Sequence, residues 1–117
     1  MKEFPAFEFN KKSYDLCFYD DSVQLYAVAN KLSGVMVSQV IPAANDYVAM
    51  MGFSDFIAQR KTEKDTQIYE LIRIGVLDIQ KIRISDMERD VLISSRDDVA
   101  KWIEEANNFM ISFNDEE

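Results

Sequence analysis

The sequence predicts a small α+β domain, in which an N-terminal β-hairpin and a central strand form a small antiparallel sheet packed by about five helices. Three observations predict this class. Apolar and polar residues alternate near the start of the chain and again around 77–84. Apolar residues recur at helical spacing over much of the remainder, and most of these stretches follow a capping residue. The length of 117 residues fits a single domain, 1–117.

The start of the chain has the pattern of two short strands joined by a turn. In FPAFEF, residues 4–9, and in SYDLCFY, residues 13–19, aromatic and aliphatic side chains alternate with other residues. The intervening residues 10–12, NKK, are typical of a turn. Alternation with β-favouring residues on both sides of a turn predicts a hairpin.

Helices are predicted wherever a capping signal precedes apolar residues spaced three or four apart. Asp20-Asp21 precede the first of these stretches and Gly34 follows it. Ser85 and Glu88 match a capping box, which predicts the start of another. The predicted helices lie near 22–32, 42–52, 54–61, 64–75 and 86–93, and a last one begins after Ser94 or Ser95.

Two stretches have other patterns. In 77–84, Leu77 and Ile79 alternate and then Ile82 and Ile84 alternate out of phase, which predicts a central strand with a bulge near Gln80-Lys81. The segment VMVSQVI, 35–41, is short and β-branched, and its pattern leaves strand and helix open.

The last helix is predicted to be amphipathic, with Trp102 and Phe109 on its buried face. Carboxylates occupy the opposite face, and an acidic tail, 113–117, follows. The net charge of the chain is −8, and residues 97–117 alone carry −6. Such a field repels phosphate groups, so the sequence disfavours direct binding to nucleic acid. It favours either a basic partner or solubility alone, and the sequence leaves open whether the acidic face is functional or only solvated.

The residues that most catalytic and metal sites need are missing. The chain has no histidine and a single cysteine, Cys17, which excludes Ser-His and Cys-His pairs and thiolate metal sites. None of the three glycines forms a phosphate-binding motif. We therefore expect a protein that is not an enzyme, with no cofactor and no metal. Because no membrane span or signal peptide is visible, we expect it in the cytoplasm.

The segment FEFNKKSYDLCF, residues 7–18, resembles the start of phage tail assembly chaperones, which often begin with F-x-(I/F)-N-G-K-x-Y-x-L-x-F and continue into a helix. Lys11 stands where that family has glycine. The resemblance covers about 12 residues of the chain. It implies a non-catalytic adaptor that binds phage structural proteins, such as tail-tube or tape-measure components, in the cytoplasm of an infected bacterial cell.

The acidic end of the chain favours a different hypothesis. Small acidic proteins can inhibit host nucleases or defence complexes by presenting carboxylates where nucleic-acid phosphates would bind. An adaptor would instead use adaptable apolar side chains, and the sequence leaves open whether copies of the chain associate. The predicted partner-binding residues are apolar in the first case, Met50, Met51 and Phe53, and acidic-face residues in the second, Asp97, Asp98, Lys101, Glu104 and Glu105.

Overall fold

The computed structural model describes residues 7–59, 68–94 and 96–115. These residues form six strands and two helices. In chain order the elements are β1 (Phe7–Phe9), β2 (Lys12–Tyr14), β3 (Ser22–Asn30), β4 (Ile41–Ala43), α1 (Asp46–Ala58), β5 (Tyr69–Asp78), β6 (Arg83–Ile93) and α2 (Arg96–Asp115).

The predicted architecture of about five helices is wrong, because the described residues contain only α1 and α2. The predicted helix at 22–32 is strand β3, and the one at 86–93 belongs to β6. The predicted helix at 64–75 is largely β5, and its start, 64–67, lies outside the described residues. In place of the two predicted helices at 42–52 and 54–61 the structure has one helix, α1, from Asp46 to Ala58, and residues 60–61 lie outside the described residues.

The larger sheet has four antiparallel strands in the order β4-β3-β5-β6. β3 and β5 form its centre and pair from Ser22 opposite Asp78 to Asn30 opposite Tyr69. Residues 79–82 are the turn between β5 and β6, so the bulged strand predicted at 77–84 is instead the end of a hairpin. Ile82 in this turn has a φ of 51°, which is unusual for a β-branched residue.

The predicted N-terminal hairpin is present in a shorter form, and it is a separate two-stranded sheet of β1 and β2. The predicted single sheet that joined it to the central strand is therefore incorrect. Residues 15–19 of the hairpin's predicted second strand are not strand, and residues 4–6 of its predicted first strand lie outside the described residues. Asn10 and Lys11 in its turn have φ values of 51° and 65°. A two-residue hairpin turn of this kind needs positive φ at both positions, so Lys11 adopts a conformation that glycine would take with less strain.

The core lies between the four-stranded sheet and a layer formed by the two helices and the hairpin. Trp102 of α2 is fully buried, and its ring meets the rings of Phe7 at 5.6 Å and Tyr14 at 5.3 Å in edge-to-face contacts. The C-terminal amphipathic helix is thus present as predicted, and it holds the hairpin through aromatic packing. No helix in the described part of the chain combines the length and apolar character needed to cross a membrane.

The segment 35–41, for which the sequence left strand and helix open, is largely irregular. Met36 forms an isolated antiparallel bridge with Ala29 of β3, and only Ile41 belongs to a named strand, β4. The segment therefore follows the outer edge of β3 before β4 begins.

Candidate functional site

A network of charged side chains joins the hairpin, the sheet and the start of α1. Asp46, the first residue of α1, is fully buried and accepts hydrogen bonds from the Tyr26 hydroxyl at 2.7 Å and the Asp15 amide at 2.7 Å. Arg73 of β5 lies between two carboxylates, with Nη1 at 3.3 Å from Asp46 Oδ1 and Nη2 at 3.0 Å from Asp90 Oδ2. Lys12 of β2 completes the network by pairing with Asp90.

The pKa values in this network follow from burial and from these partners. Burial raises the pKa of Asp46, although the Tyr26 hydroxyl, the Asp15 amide and Arg73 partly offset the effect. At Asp90, partial burial opposes ionisation, but the hydrogen bonds from Lys12 and Arg73 outweigh it and lower the pKa. Because Asp46 has no exposed surface, the network positions α1 and the hairpin rather than presenting charge to a ligand.

A cavity of about 200 Å³ lies beside this network, between the hairpin, the end of β6 and the start of α2. Its lining includes Lys12, Tyr14 and Asp98. A second cavity, of about 150 Å³, lies between α1 and α2. Both are smaller than the roughly 300–1,000 Å³ of typical small-molecule pockets.

Residues 32–40, LSGVMVSQV, which we call the edge segment, carry a run of exposed apolar side chains. None of its nine residues is charged, although charged residues make up 29% of the chain. Five of its side chains are large, apolar and exposed: Leu32 at 80%, Val35 at 61%, Met36 at 49%, Val37 at 47% and Val40 at 47%. Contiguous exposed apolar surface of this kind is typical of sites that bind other proteins.

Hydrogen bonds from both backbone and side-chain atoms hold the edge segment against β3, among them one from the Gly34 amide to the Asn30 carbonyl at 2.7 Å. The Val37 amide donates to the Val28 carbonyl at 2.9 Å, and the Asn30 amide donates to the Val35 carbonyl at 3.0 Å. The Val28 amide donates to the Ser38 hydroxyl at 2.9 Å. Gly34, with a φ of 74°, turns the chain back toward β3. The apolar side chains are thus presented on an anchored backbone.

The predicted apolar contact residues, Met50, Met51 and Phe53, do not form one exposed surface. Met50 and Phe53 are fully buried and pack in the core between α1 and the sheet, so they provide no exposed contact surface. Of that predicted group only Met51 is exposed, at 40%. Residues 50, 51 and 53 lie on one helix, and positions one apart on a helix face different directions, which separates Met51 from its neighbours.

The predicted acidic residues lie along α2. Lys101, Glu104 and Glu105 are exposed, Asp98 is half-buried, and Asp97 lies in the first turn of the helix. Within the described part of the chain, Glu104 and Glu105 make no hydrogen bond or ion pair. The structure therefore places these two carboxylates on one solvent-facing stretch of α2, away from the core side occupied by Trp102.

The sequence did not lead us to predict that the edge segment is an exposed apolar surface. A signal was available, because nine consecutive uncharged residues with five large apolar side chains match neither a helical stripe nor strict alternation. Comparisons of the chain with protein-family models, with curated proteins and with solved structures found no match.

Proposed function

We propose that this protein is a non-catalytic adaptor that binds another protein through the edge segment. The observation that carries the proposal is the exposure of five large apolar side chains, each between 47% and 80% exposed, in a stretch with no charge. Burying such side chains against a partner releases apolar surface from water, which stabilises a complex. Because the contact needs no ion pairs, binding would persist in high salt.

The N-terminal resemblance adds a class of partner to this proposal. A protein similar to a phage tail assembly chaperone would bind phage structural proteins during assembly, and it would have no catalytic role. We therefore propose a phage structural protein as the partner. The edge segment lies on the opposite side of β3 from β5, so a partner can reach it without displacing the central strand pair.

The test is an affinity capture from host-cell lysate, with and without phage infection, followed by a salt gradient and identification of the retained proteins. The Val35→Ser/Val37→Ser variant removes the two apolar side chains that flank Met36 in the edge segment. Its matched control, Ile79→Ser/Ile84→Ser, removes two comparably exposed side chains at the β5–β6 hairpin. We expect the wild type and the control to retain a phage structural protein through about 1 M salt, where exposed ion pairs are screened, and the Val35/Val37 variant to lose it. Equal retention by both variants would contradict the proposal.

A second candidate function rests on the exposed carboxylates of α2. Glu104 and Glu105 could take the place of nucleic-acid phosphates in a basic host complex, which would make the protein an inhibitor. Such binding would weaken steeply with salt, because exposed ion pairs are screened within about 10 Å at 0.1 M. Glu104→Lys/Glu105→Lys should abolish it and leave edge-segment binding unchanged. Salt-sensitive capture of a nuclease that this variant loses would favour inhibition over the adaptor function.

A further inference from the structure

We propose that the edge segment pairs with the edge segment of a second copy of this chain, antiparallel and about a two-fold axis that passes through Met36. The proposal rests on the proposed function, because it uses the same surface, and it adds a second copy of the chain as an occupant that competes there with the phage structural protein. Three independent features carry it: the direction of the free backbone groups, the symmetry of the sequence, and the distribution of charge on the edges of the sheet.

The backbone of Met36 faces away from the sheet. The residues on either side, Val35 and Val37, make the hydrogen bonds to β3, through the Val35 carbonyl and the Val37 amide. Successive residues of an extended chain point their polar groups in opposite directions, so the Met36 amide and carbonyl point outward. No hydrogen bond in the described part of the chain uses either group. Two copies related by a two-fold axis at Met36 would therefore exchange a pair of amide-to-carbonyl hydrogen bonds.

The sequence of the edge segment is nearly symmetric about Met36. In LSGVMVSQV, Val35 and Val37 flank the centre, and Leu32 and Val40 stand four residues from it on either side. In the antiparallel register centred on Met36, Val35 of one copy lies opposite Val37 of the other, in two identical pairs. β-branched residues favour strands because their side chains pack against cross-strand neighbours, so this register suits the two valines. A shift of register by one residue would lose this match.

The charges on the sheet also select this edge. Two copies with a net charge of −8 each repel one another, so a contact between them is favoured where charge is absent. The β6 edge carries five charged residues among its eleven, and β4 carries Pro42, both of which discourage pairing with another strand. The edge segment has neither a charge nor a proline. It is the part of the described sheet edge that lacks these protective features.

The apolar surface is small for a permanent dimer, since specific interfaces bury about 800 Å² on each partner. We therefore expect a dimer that exchanges with single chains and becomes populated as the concentration rises. In light scattering coupled to size-exclusion chromatography, the mass should increase from 13.6 kDa toward twice that value. The Met36 amide should exchange quickly with solvent when the chain is dilute and more slowly when it is concentrated.

The register is tested with two double variants. Val35→Glu/Val37→Glu and Val35→Lys/Val37→Lys each place like charges opposite one another across the axis, so each alone should self-associate at least about tenfold more weakly. A mixture of the two places glutamate opposite lysine in both pairs and should restore the dimer. Ile79→Glu/Ile84→Glu, with the same charge change at the β5–β6 hairpin, should associate like the wild type.

Three results would overturn the inference: a wild-type mass of 13.6 kDa with an unprotected Met36 amide at the highest attainable concentration, a dimer retained in both like-charge variants, or a mixture that stays monomeric. The two proposals fail separately. A wild-type chain that stays monomeric but captures a phage structural protein through Val35 and Val37 would overturn the dimer and leave the adaptor function standing. A monomer that captures nothing through these residues would contradict both.

Discussion

The Nη1 atom of Arg73 lies 3.3 Å from Oδ1 of Asp46, an ion pair whose carboxylate has no exposed surface. This contact crosses from the centre of the sheet to the first turn of α1. It fixes the start of the helix, where Asn45 also caps the backbone by accepting a hydrogen bond from the Val48 amide at 3.0 Å. The sheet and the helical layer are thus joined by charge as well as by apolar packing.

The first prediction concerns Asp46. Asp46→Asn should lower the free energy of unfolding by about 2–3 kcal/mol, because the amide replaces an acceptor oxygen with a donor and leaves Arg73 without its buried partner. Urea unfolding at pH 7, followed by the fluorescence of Trp102, measures the loss. Asp55→Asn, an exposed position on the same helix, is the control and should change the stability by less than about 0.5 kcal/mol. Similar losses for the two variants would show that the network contributes little.

The second prediction concerns pH and Asp90. Lys12 and Arg73 lower its pKa below the ordinary value of 3.8, so the unfolded chain holds this proton more tightly than the folded chain. The stability that Asp90 contributes is therefore present above pH 3.8 and is lost as the pH falls through the lowered value.

Asp90→Asn isolates this contribution. At pH 7 the variant should be less stable than the wild type by about 1 kcal/mol, a modest value because the pair is partly exposed to solvent. The difference should shrink as the pH is lowered from 4 toward 2, when measured by urea unfolding at each pH. A difference that is constant over this range would show that folding does not lower the pKa of Asp90.

The third prediction concerns Tyr14 at alkaline pH. Burial, together with the charges of Asp46, Asp90 and Asp98, raises the pKa of Tyr14 to about 12. The neutral phenol therefore contributes stability that is complete below pH 10.0 and is lost as the pH rises toward 12. The hydroxyl also donates a hydrogen bond to the Leu92 carbonyl, which holds the hairpin against β6.

Tyr14→Phe should cost about 1 kcal/mol at pH 7, where the Leu92 carbonyl loses its donor. Above pH 10 the wild type should lose this advantage, because its own stability falls more steeply than that of the variant, by up to about 1.4 kcal/mol per pH unit. Thermal unfolding followed by circular dichroism at pH 7, 9, 10 and 11 measures both curves. If the stabilities of the wild type and the variant fell in parallel between pH 9 and 11, folding would not raise the pKa of Tyr14.

The hairpin and α2 were predictable from the sequence because each has one buried and one exposed face. In β1, Phe7 and Phe9 are buried and Glu8 is exposed, so strict alternation is visible. In α2 the buried residues Trp102 and Ala106 are four apart, with exposed residues between them. When one face of a strand or helix is buried and the other is exposed, apolar and polar residues alternate with the period of that element, and the sequence shows it.

Strand β3 was not predictable in the same way. All of residues 24–29 are buried, so the apolar run has no period of its own, and Leu25 and Val28 matched a helical stripe by coincidence. In β6, Ser85 and Glu88 match a capping box, yet pairing with β5 outweighs that local preference. Pairing partners are distant in sequence, as Ile72 and Val91 are, and local patterns do not contain them.

The last prediction compares two glycines that the sequence did not distinguish. A Cβ atom at Gly75 in β5 would lie 2.8 Å from the carbonyl oxygen of Ser85 in β6, whereas one at Gly52 in α1 meets nothing within 4 Å. Gly75→Ala should destabilise the protein by about 1–3 kcal/mol, because backbone of the neighbouring strand must move. Gly52→Ala should stabilise it by about 0.5–1 kcal/mol, because alanine favours the helix. Urea unfolding of both variants measures these opposite changes, and a stabilised Gly75→Ala would mean that β5 and β6 do not approach each other as closely at this position.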